Sequence, residues 1–383
     1  MSLSDFSPSL APDPPRPVGA PLAAATSRVL DAARLGAAAV VVVFHASGMW
    51  TTAYPNLHAA LGKASHAAVV VFFVISGYVI AYSAGRHHRG LRHYAVARLS
   101  RLYAVLAPTL LLTALVEAVI RATDPETAAR YVHVPSGVRY LLSAVFGSEA
   151  GFWSAAPPIN SPLWSLSYEF WYYVLFGLGL YRQAIRGAGW WLALAALLAG
   201  PKILLLLPVW LFGVGAWQLP RPQWAPGGNW LLAGLLLLRA ALAVAGLPAW
   251  PGAVGDRPLY MAGQFLTDWV VGGLFAAAIW LLPPGGPAPA SAGRRYLRRA
   301  ADLSFPLYAL HFPLLVLWRS LGGWQANDLG QLGRAIGGVS LLAGLLGWGL
   351  ERQRGRWIRF FDRAIAWLAR KGLRPRPPEQ GWH

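Results

Sequence analysis

Apolar runs of close to twenty residues recur along this chain, and short segments bearing arginine separate them. About 20 apolar residues of helix cross a bilayer core. The sequence therefore predicts an all-α, polytopic integral membrane protein; a soluble α/β protein of this size would need more charge and more strand-like alternation. Composition agrees: 56% of the residues are hydrophobic, 13% are charged and the mean hydropathy is +0.44, whereas soluble domains carry about 25% charge.

The runs place about ten transmembrane helices, over 35–54, 64–84, 102–121, 163–181, 190–206, 208–219, 230–247, 264–282, 303–321 and 335–350. The fifth and sixth meet around Gly200, Pro201 and Lys202 and read as a kinked pair or a re-entrant hairpin. Around these spans, residues 1–27 read as a disordered polar tail, 28–351 as the membrane domain and 352–383 as a basic tail. Ile358 to Leu368 alternates apolar and basic faces, as a helix lying on a leaflet does. The N-terminal tail lacks the basic region followed by an apolar core that marks a cleaved signal.

The net charge is +18, from 33 Lys and Arg against 15 Asp and Glu. These cations cluster in the short connections, the positive-inside pattern of a membrane protein rather than a nucleic-acid footprint, so no nucleic-acid partner is expected. The densest internal block runs from Arg86 to His93 and continues to Arg98 and Arg101. It places both chain ends in the cytoplasm, and the long connection 122–162 outside. That connection holds a short amphipathic stretch (138–146) and an aromatic, proline-rich section from Gly151 to Pro162; loops this long are often functional. The chain has no Cys, which excludes disulfides, thiol catalysis and Cys-ligated metals. No metal is expected.

Arg34 and His45 lie eleven positions apart on the first apolar run. On an α-helix this is roughly three turns plus 20°, so the two share a face about 16 Å apart along the axis. Arg98 and Arg101, at i and i+3, share a face at the start of the third span. Three guanidiniums at one membrane surface suit a phosphate site, because arginine presents forked donors. Equally, interface arginines can simply snorkel toward water.

His45 reads either as a neutral histidine bonded to a neighbouring helix or as a general base, since imidazole titrates near neutrality. Glu169, in the fourth span, needs a cation or donor as a partner. It can orient an imidazole or hold a substrate hydroxyl. The rings around it, Trp164 and Tyr168 included, either anchor a helix at the interface or stack on a sugar. His311 sits halfway along the ninth span, where Pro313 bends the helix and frees carbonyls. Asp31, Glu117, Arg239 and Asp268 are further charges in or beside spans, with no partner assignable from sequence.

Together these segments resemble acyltransferase family 3. Leu30, Asp31, Arg34 and His45 match its first-span pattern, with Leu35 where a Gly is usual. Phe72, Phe73, Ile75, Ser76, Gly77 and Tyr78 match the second span. Arg98, Arg101 and Tyr103 match its basic motif. Pro162, Trp164, Ser165 and Glu169 match the fourth span, and Ser304, Tyr308, His311 and Pro313 a late motif. The matches keep the family's order over about 30–313, and no esterase-like domain follows them, as in a stand-alone membrane member.

The resemblance implies transfer of an acyl group, often acetyl, from cytosolic acyl-CoA to a hydroxyl of a glycan or other hydroxylated acceptor, in a bacterial inner membrane. It also implies roles. Arg34, Arg98 and Arg101 would hold CoA phosphates. His45 would deprotonate the acceptor hydroxyl or relay the acyl group, with Glu169 orienting the site from the opposite leaflet. Trp164, Ser165, Tyr168 and His311 would meet the substrate. Membrane lipid, acyl-CoA and the acceptor are the expected partners, and oligomeric state stays open. The competing reading is a transporter or flippase for a glycan or lipid, which the broken fifth and sixth spans would suit.

Overall fold

The computed structural model of the chain describes residues 22–86, 90–221, 226–282 and 291–370. Among them are thirteen α-helices: α1 (Ala24–Trp50), α2 (Pro55–Arg86), α3 (Gly90–Thr123), α4 (Pro125–Tyr131), α5 (Gly137–Ala144), α6 (Trp164–Leu180), α7 (Ala188–Ala199), α8 (Pro201–Gln218), α9 (Pro226–Gly246), α10 (Phe265–Leu281), α11 (Ala292–Asp302), α12 (Ser304–Leu321) and α13 (Leu329–Arg370). No strand occurs among the described residues. Most of the expected N-terminal tail, the proline-rich linker 283–290 and the last thirteen residues lie outside them.

Every expected apolar run forms a helix, but the count of ten spans is not matched. Six helices are long and apolar enough to cross a bilayer: α1, α2, α3, α8, α9 and α13. Helices α11 and α12, bent by 47° at their junction, make a seventh if they are taken as one span. The remaining three are short: α6 and α10 have 17 residues and α7 has 12. At about 1.5 Å per residue, α7 covers only some 18 Å. It ends at Gly200, whose φ is +80°, so the break falls at the Gly200–Lys202 junction and inside the expected fifth span, whose last residues belong to α8. A side chain at Gly200 would also collide with the backbone of Gly151, which donates its N–H to the Ala199 carbonyl at 3.2 Å. The break between α7 and α8 is thus where the long connection packs down onto the bundle.

Two helices run past their expected limits. Helix α1 starts at Ala24, so Arg34 lies well inside it rather than at its opening. Helix α13 continues without interruption through 351–370, where a separate basic tail was expected. The reason is packing: Trp357 stacks on Tyr103 of α3 and Phe361 packs at a tilt against the same ring, with centroids 5.9 and 5.2 Å apart, and Arg92 pairs with Asp362 at 2.8 Å.

The core forms around α2, α6, α8 and α10, where Phe73, Tyr172, Trp210 and Ile279 are buried. A second cluster joins α1, α3, α12 and α13 through Trp50, Val116, Leu315 and Val339. Between the clusters runs an unusual feature. The 3-10 turn Pro158–Leu163 re-enters the bundle, with Ile159 and Asn160 fully buried. Asn160 Nδ2 donates to Thr113 Oγ1 at 3.1 Å and to the Ala309 carbonyl at 3.0 Å. Helix α6 therefore begins inside the protein, not at its edge.

Candidate active site

Five of the expected site residues line one narrow cavity of about 70 Å³: Arg34 of α1, Arg98 and Arg101 of α3, and Ser165 and Glu169 of α6. Ser76 of α2, Tyr173 of α6, and Ser304 and Tyr308 of α12 complete its polar lining. Three guanidiniums and one carboxylate give the cavity a formal charge of +2 (3 − 1), which favours an anion. Arg98 is anchored by a 2.8 Å hydrogen bond from its guanidinium to Ser83 Oγ, and its Nε has no partner.

Glu169 was expected across the membrane from the arginines, and the structure corrects this. Because α6 starts within the bundle, its second turn reaches the arginine cavity. There the Glu169 carboxylate accepts hydrogen bonds from Ser76 Oγ at 3.0 Å and from the Tyr173 hydroxyl. Trp210 Nε1 donates to Ser76 Oγ at 3.2 Å. The carboxylate is thus held by neutral donors and faces three cations.

A second, wider pocket of about 720 Å³ lies under the connections at the other end of these helices. Tyr131, Arg139, Glu149, Trp153, Trp164 and Phe312 are among its lining residues. Its size is in the range of small-molecule sites, about 300–1,000 Å³. Glu149 is locked by Lys202 of α8, whose ammonium donates to the carboxylate at 2.7 Å; both side chains are at most 1% exposed. Burial pushes the Glu149 carboxyl up, and Lys202 opposes that shift.

The two cavities meet along α6 and α12. Trp164 lines the wide pocket and its neighbour Ser165 the narrow one; on α12, Phe312 lines the wide pocket and Tyr308 the narrow one. His45 and His311 stand in this partition. Their ring centroids are 5.0 Å apart, and His45 lies 5.2 Å from the Phe312 ring while His311 lies 6.0 Å from that of Tyr308. His311 is fully buried. Ser165 Oγ and the Tyr308 hydroxyl are 2.8 Å apart, and that hydroxyl donates to the Pro162 carbonyl at 2.7 Å.

Two expected substrate contacts look different here. Tyr168 lines neither cavity; it is fully buried in the core between Phe73 and Trp164. His311 meets His45 rather than either cavity. Three of the unassigned charges find partners. Asp268 accepts from Gln264 and pairs with His66 at 2.9 Å, behind Trp164, on whose ring His66 stacks. Glu117 takes Arg121, Ser136 and Tyr140, and Asp31 is 3.5 Å from Ser27 Oγ. Sequence reasoning passed over Ser76, Tyr173 and Tyr308 as site residues, although Ser76 and Tyr308 stand inside the segments that carry the family resemblance. It also passed over Asn160, Glu149 and Lys202. The two buried charges are visible as costly residues, but a pairing across 53 positions is not.

Comparison with known proteins gives two matches. The family model for the acyltransferase domain of acyltransferase family 3 covers residues 28–350. Acyltransferase MdmB of Streptomyces mycarofaciens is 28% identical over 309 residues, 72% of this chain and 77% of that protein. No solved structure matches.

Proposed function

The chain belongs to acyltransferase family 3 and is a membrane acyltransferase; from that premise we propose that it moves an acyl group, acetyl in the simplest case, from cytosolic acyl-CoA to a hydroxyl of a glycan or other hydroxylated acceptor. In this reading the protein lies in a bacterial plasma membrane with both termini and the arginine-bearing helix ends in the cytoplasm. The carrying observation is the pair of abutting cavities: one narrow and cationic, one wide and aromatic, with two imidazoles in the partition.

The phosphates of the donor bind Arg34, Arg98 and Arg101, and its thin pantetheine arm extends along α1. Arg34 and His45 sit on one unbroken helix, about 16 Å apart, so the thioester carbon is brought toward His45. The acceptor enters the wide pocket and stacks on Trp164. His45 takes the hydroxyl proton as the oxygen attacks the acyl carbon. The C–S bond then breaks, and the CoA sulfur leaves with the proton returned from His45. Glu169 holds Ser76 and Tyr173 in place beside the arginines. This chemistry uses no metal.

A transporter reading gains no specific observation. Among the described residues, those at the α7–α8 break line neither cavity.

The test is acyl transfer by the purified protein in lipid. His45→Ala is expected to abolish transfer at normal expression, and full activity in that variant would sink the base assignment. The double variant Arg98→Ala, Arg101→Ala is expected to weaken acyl-CoA binding; unchanged binding would refute the phosphate role.

A further inference from the structure

We infer that His311 is a positioning residue that fixes which nitrogen of His45 is free to take a proton. This rests on the proposed role of His45 as the base, and adds to it a second residue and a defined tautomer.

The assignment follows from which atoms can only accept. His311 Nδ1 lies 2.7 Å from the backbone carbonyl of Tyr308. A carbonyl oxygen has no hydrogen to give, so Nδ1 carries one and Nε2 of the neutral ring holds the lone pair. That Nε2 faces His45 Nδ1 at 3.2 Å. His45 Nδ1 is also 2.9 Å from the Val41 carbonyl. Two acceptors meet one nitrogen, so His45 Nδ1 bears the hydrogen and shares it between them. The lone pair of His45 is then on Nε2, and no described residue makes a hydrogen bond to that atom. A doubly protonated His311 fits poorly: its Nε2–H would require a lone pair on His45 Nδ1, which would then face the Val41 carbonyl unbonded.

Val41 alone is a weak orienter. Its carbonyl already accepts the helical N–H of residue 45, as in any α-helix, so the side chain shares it. It also sits on the same helix as His45 and cannot fix that ring relative to α12. His311 supplies an unshared acceptor from the opposite helix, and the Tyr308 carbonyl fixes His311 in turn. The arrangement does for His45 what a carboxylate does for the histidine of a serine hydrolase: it selects the tautomer and supports the cation formed when Nε2 is protonated. The O–H bond of the acceptor breaks, Nε2–H forms, and the Nδ1–H stays between its two acceptors until Nε2 returns the proton to the leaving sulfur.

The test is nitrogen-15 NMR of histidine-labelled protein in lipid nanodiscs, whose shifts separate Nδ1–H from Nε2–H rings. His45→Gln assigns the His45 signals. In the wild type both His45 and His311 are expected as Nδ1–H tautomers. His311→Phe is expected to leave His45 as a tautomer mixture and to lower kcat about 100-fold, the scale of a general-base contribution, with KM for acyl-CoA unchanged. His311→Gln, whose amide oxygen can accept, is expected to restore the single tautomer and most of kcat. An Nε2–H tautomer of His45 in the wild type overturns the inference without any variant needing to fold. So does a folded His311→Phe protein with wild-type tautomer and kcat. If instead His45→Gln transfers acyl groups normally, it is the base assignment that fails, while the tautomer stands or falls on the spectra.

Discussion

Asn160 Nδ2 donates a hydrogen bond to the Ala309 carbonyl at 3.0 Å, and that carbonyl is available because Pro313, four residues on, has no N–H to offer it. A proline in a helix leaves one carbonyl without its helical partner. Here a buried loop amide fills the place and ties the re-entrant turn to the helix that carries Tyr308 and His311. Asn160→Ala is expected to cost about 1–3 kcal/mol, the price of a buried acceptor left unmade, read as a lower melting temperature in detergent. Pro313→Ala returns an N–H to the Ala309 carbonyl, so Asn160→Ala should cost less in that background. Equal costs in both backgrounds would show that the pairing is incidental.

Gly77 and Gly213 let α2 and α8 approach backbone to backbone. A Cβ on Gly77 would overlap the Trp210 carbonyl, and one on Gly213 the Val74 carbonyl. Neither carbonyl can move without its helix, and small residues are what allow membrane helices this close. Gly77→Ala or Gly213→Ala is expected to lower stability by about 1–3 kcal/mol or more, as overpacking does. The double variant should cost less than the sum, since both strain one contact. Gly337→Ala on α13, where a Cβ meets open space, is the control and should melt no lower than the wild type. A normal melt for Gly77→Ala would remove the close-approach argument.

Much of this architecture is legible in the sequence, and the rest is illegible for definite reasons. Apolar run length finds the apolar helices but not their ends, and it is blind to the short polar helices α4 and α11: α1 and α13 extend because of what they pack against, and no periodicity encodes that. Arg34, Arg98 and Arg101 can be grouped from topology alone, since all three fall at one surface. Glu169 is misplaced because its depth depends on the turn Pro158–Leu163 re-entering the bundle, and that turn reads as external loop until Asn160 is seen bonded to α3 and α12. His311 is visible as a costly residue, yet its meeting with His45 spans 266 positions and needs the packing of α1 on α12. Tyr168 illustrates the converse, an aromatic of the fourth-span segment whose ring packs between Phe73 and Trp164 and lines neither cavity.

Lys202 and Glu149 form an ion pair with almost no exposure, and each depends on the other. Removing one partner of such a pair strands a buried charge, at about 3–5 kcal/mol. Lys202→Met is therefore expected to be strongly destabilising, and Lys202→Met with Glu149→Met much less so. The sign with pH follows from the Glu149 carboxyl being pushed up by burial, further still without its cation. A raised folded pKa favours the folded state at low pH and loses that support as pH rises. The gap between wild type and Lys202→Met should thus be wider at pH 8 than at pH 5. A gap that narrows with rising pH would contradict the burial argument. Melting temperatures across that range decide it.

Asp124 caps α4, accepting the Thr127 N–H at 3.0 Å, and α4 ends at Tyr131 beside the wide pocket. The hydrogen bonds from Thr127 hold the Asp124 carboxyl below its ordinary value. A lowered folded pKa stabilises the folded helix above the ordinary aspartate pKa, and that contribution is lost as pH falls through the lowered value. Because Asp124 is largely solvated, screening keeps the effect small: Asp124→Ala should cost α4 about 0.5–1 kcal/mol near neutrality, the low end for a lost N-cap. Hydrogen exchange at the amides of 127–131 is the direct readout. Faster exchange is expected in the variant at pH 7, with the two proteins converging once the pH drops below the capped carboxyl's range and intrinsic exchange rates are corrected. Fraying of α4 should also raise KM for the acceptor while leaving acyl-CoA binding unchanged, since Tyr131 lines only the wide pocket. Identical protection in both proteins at pH 7 would show that the cap does not hold this helix.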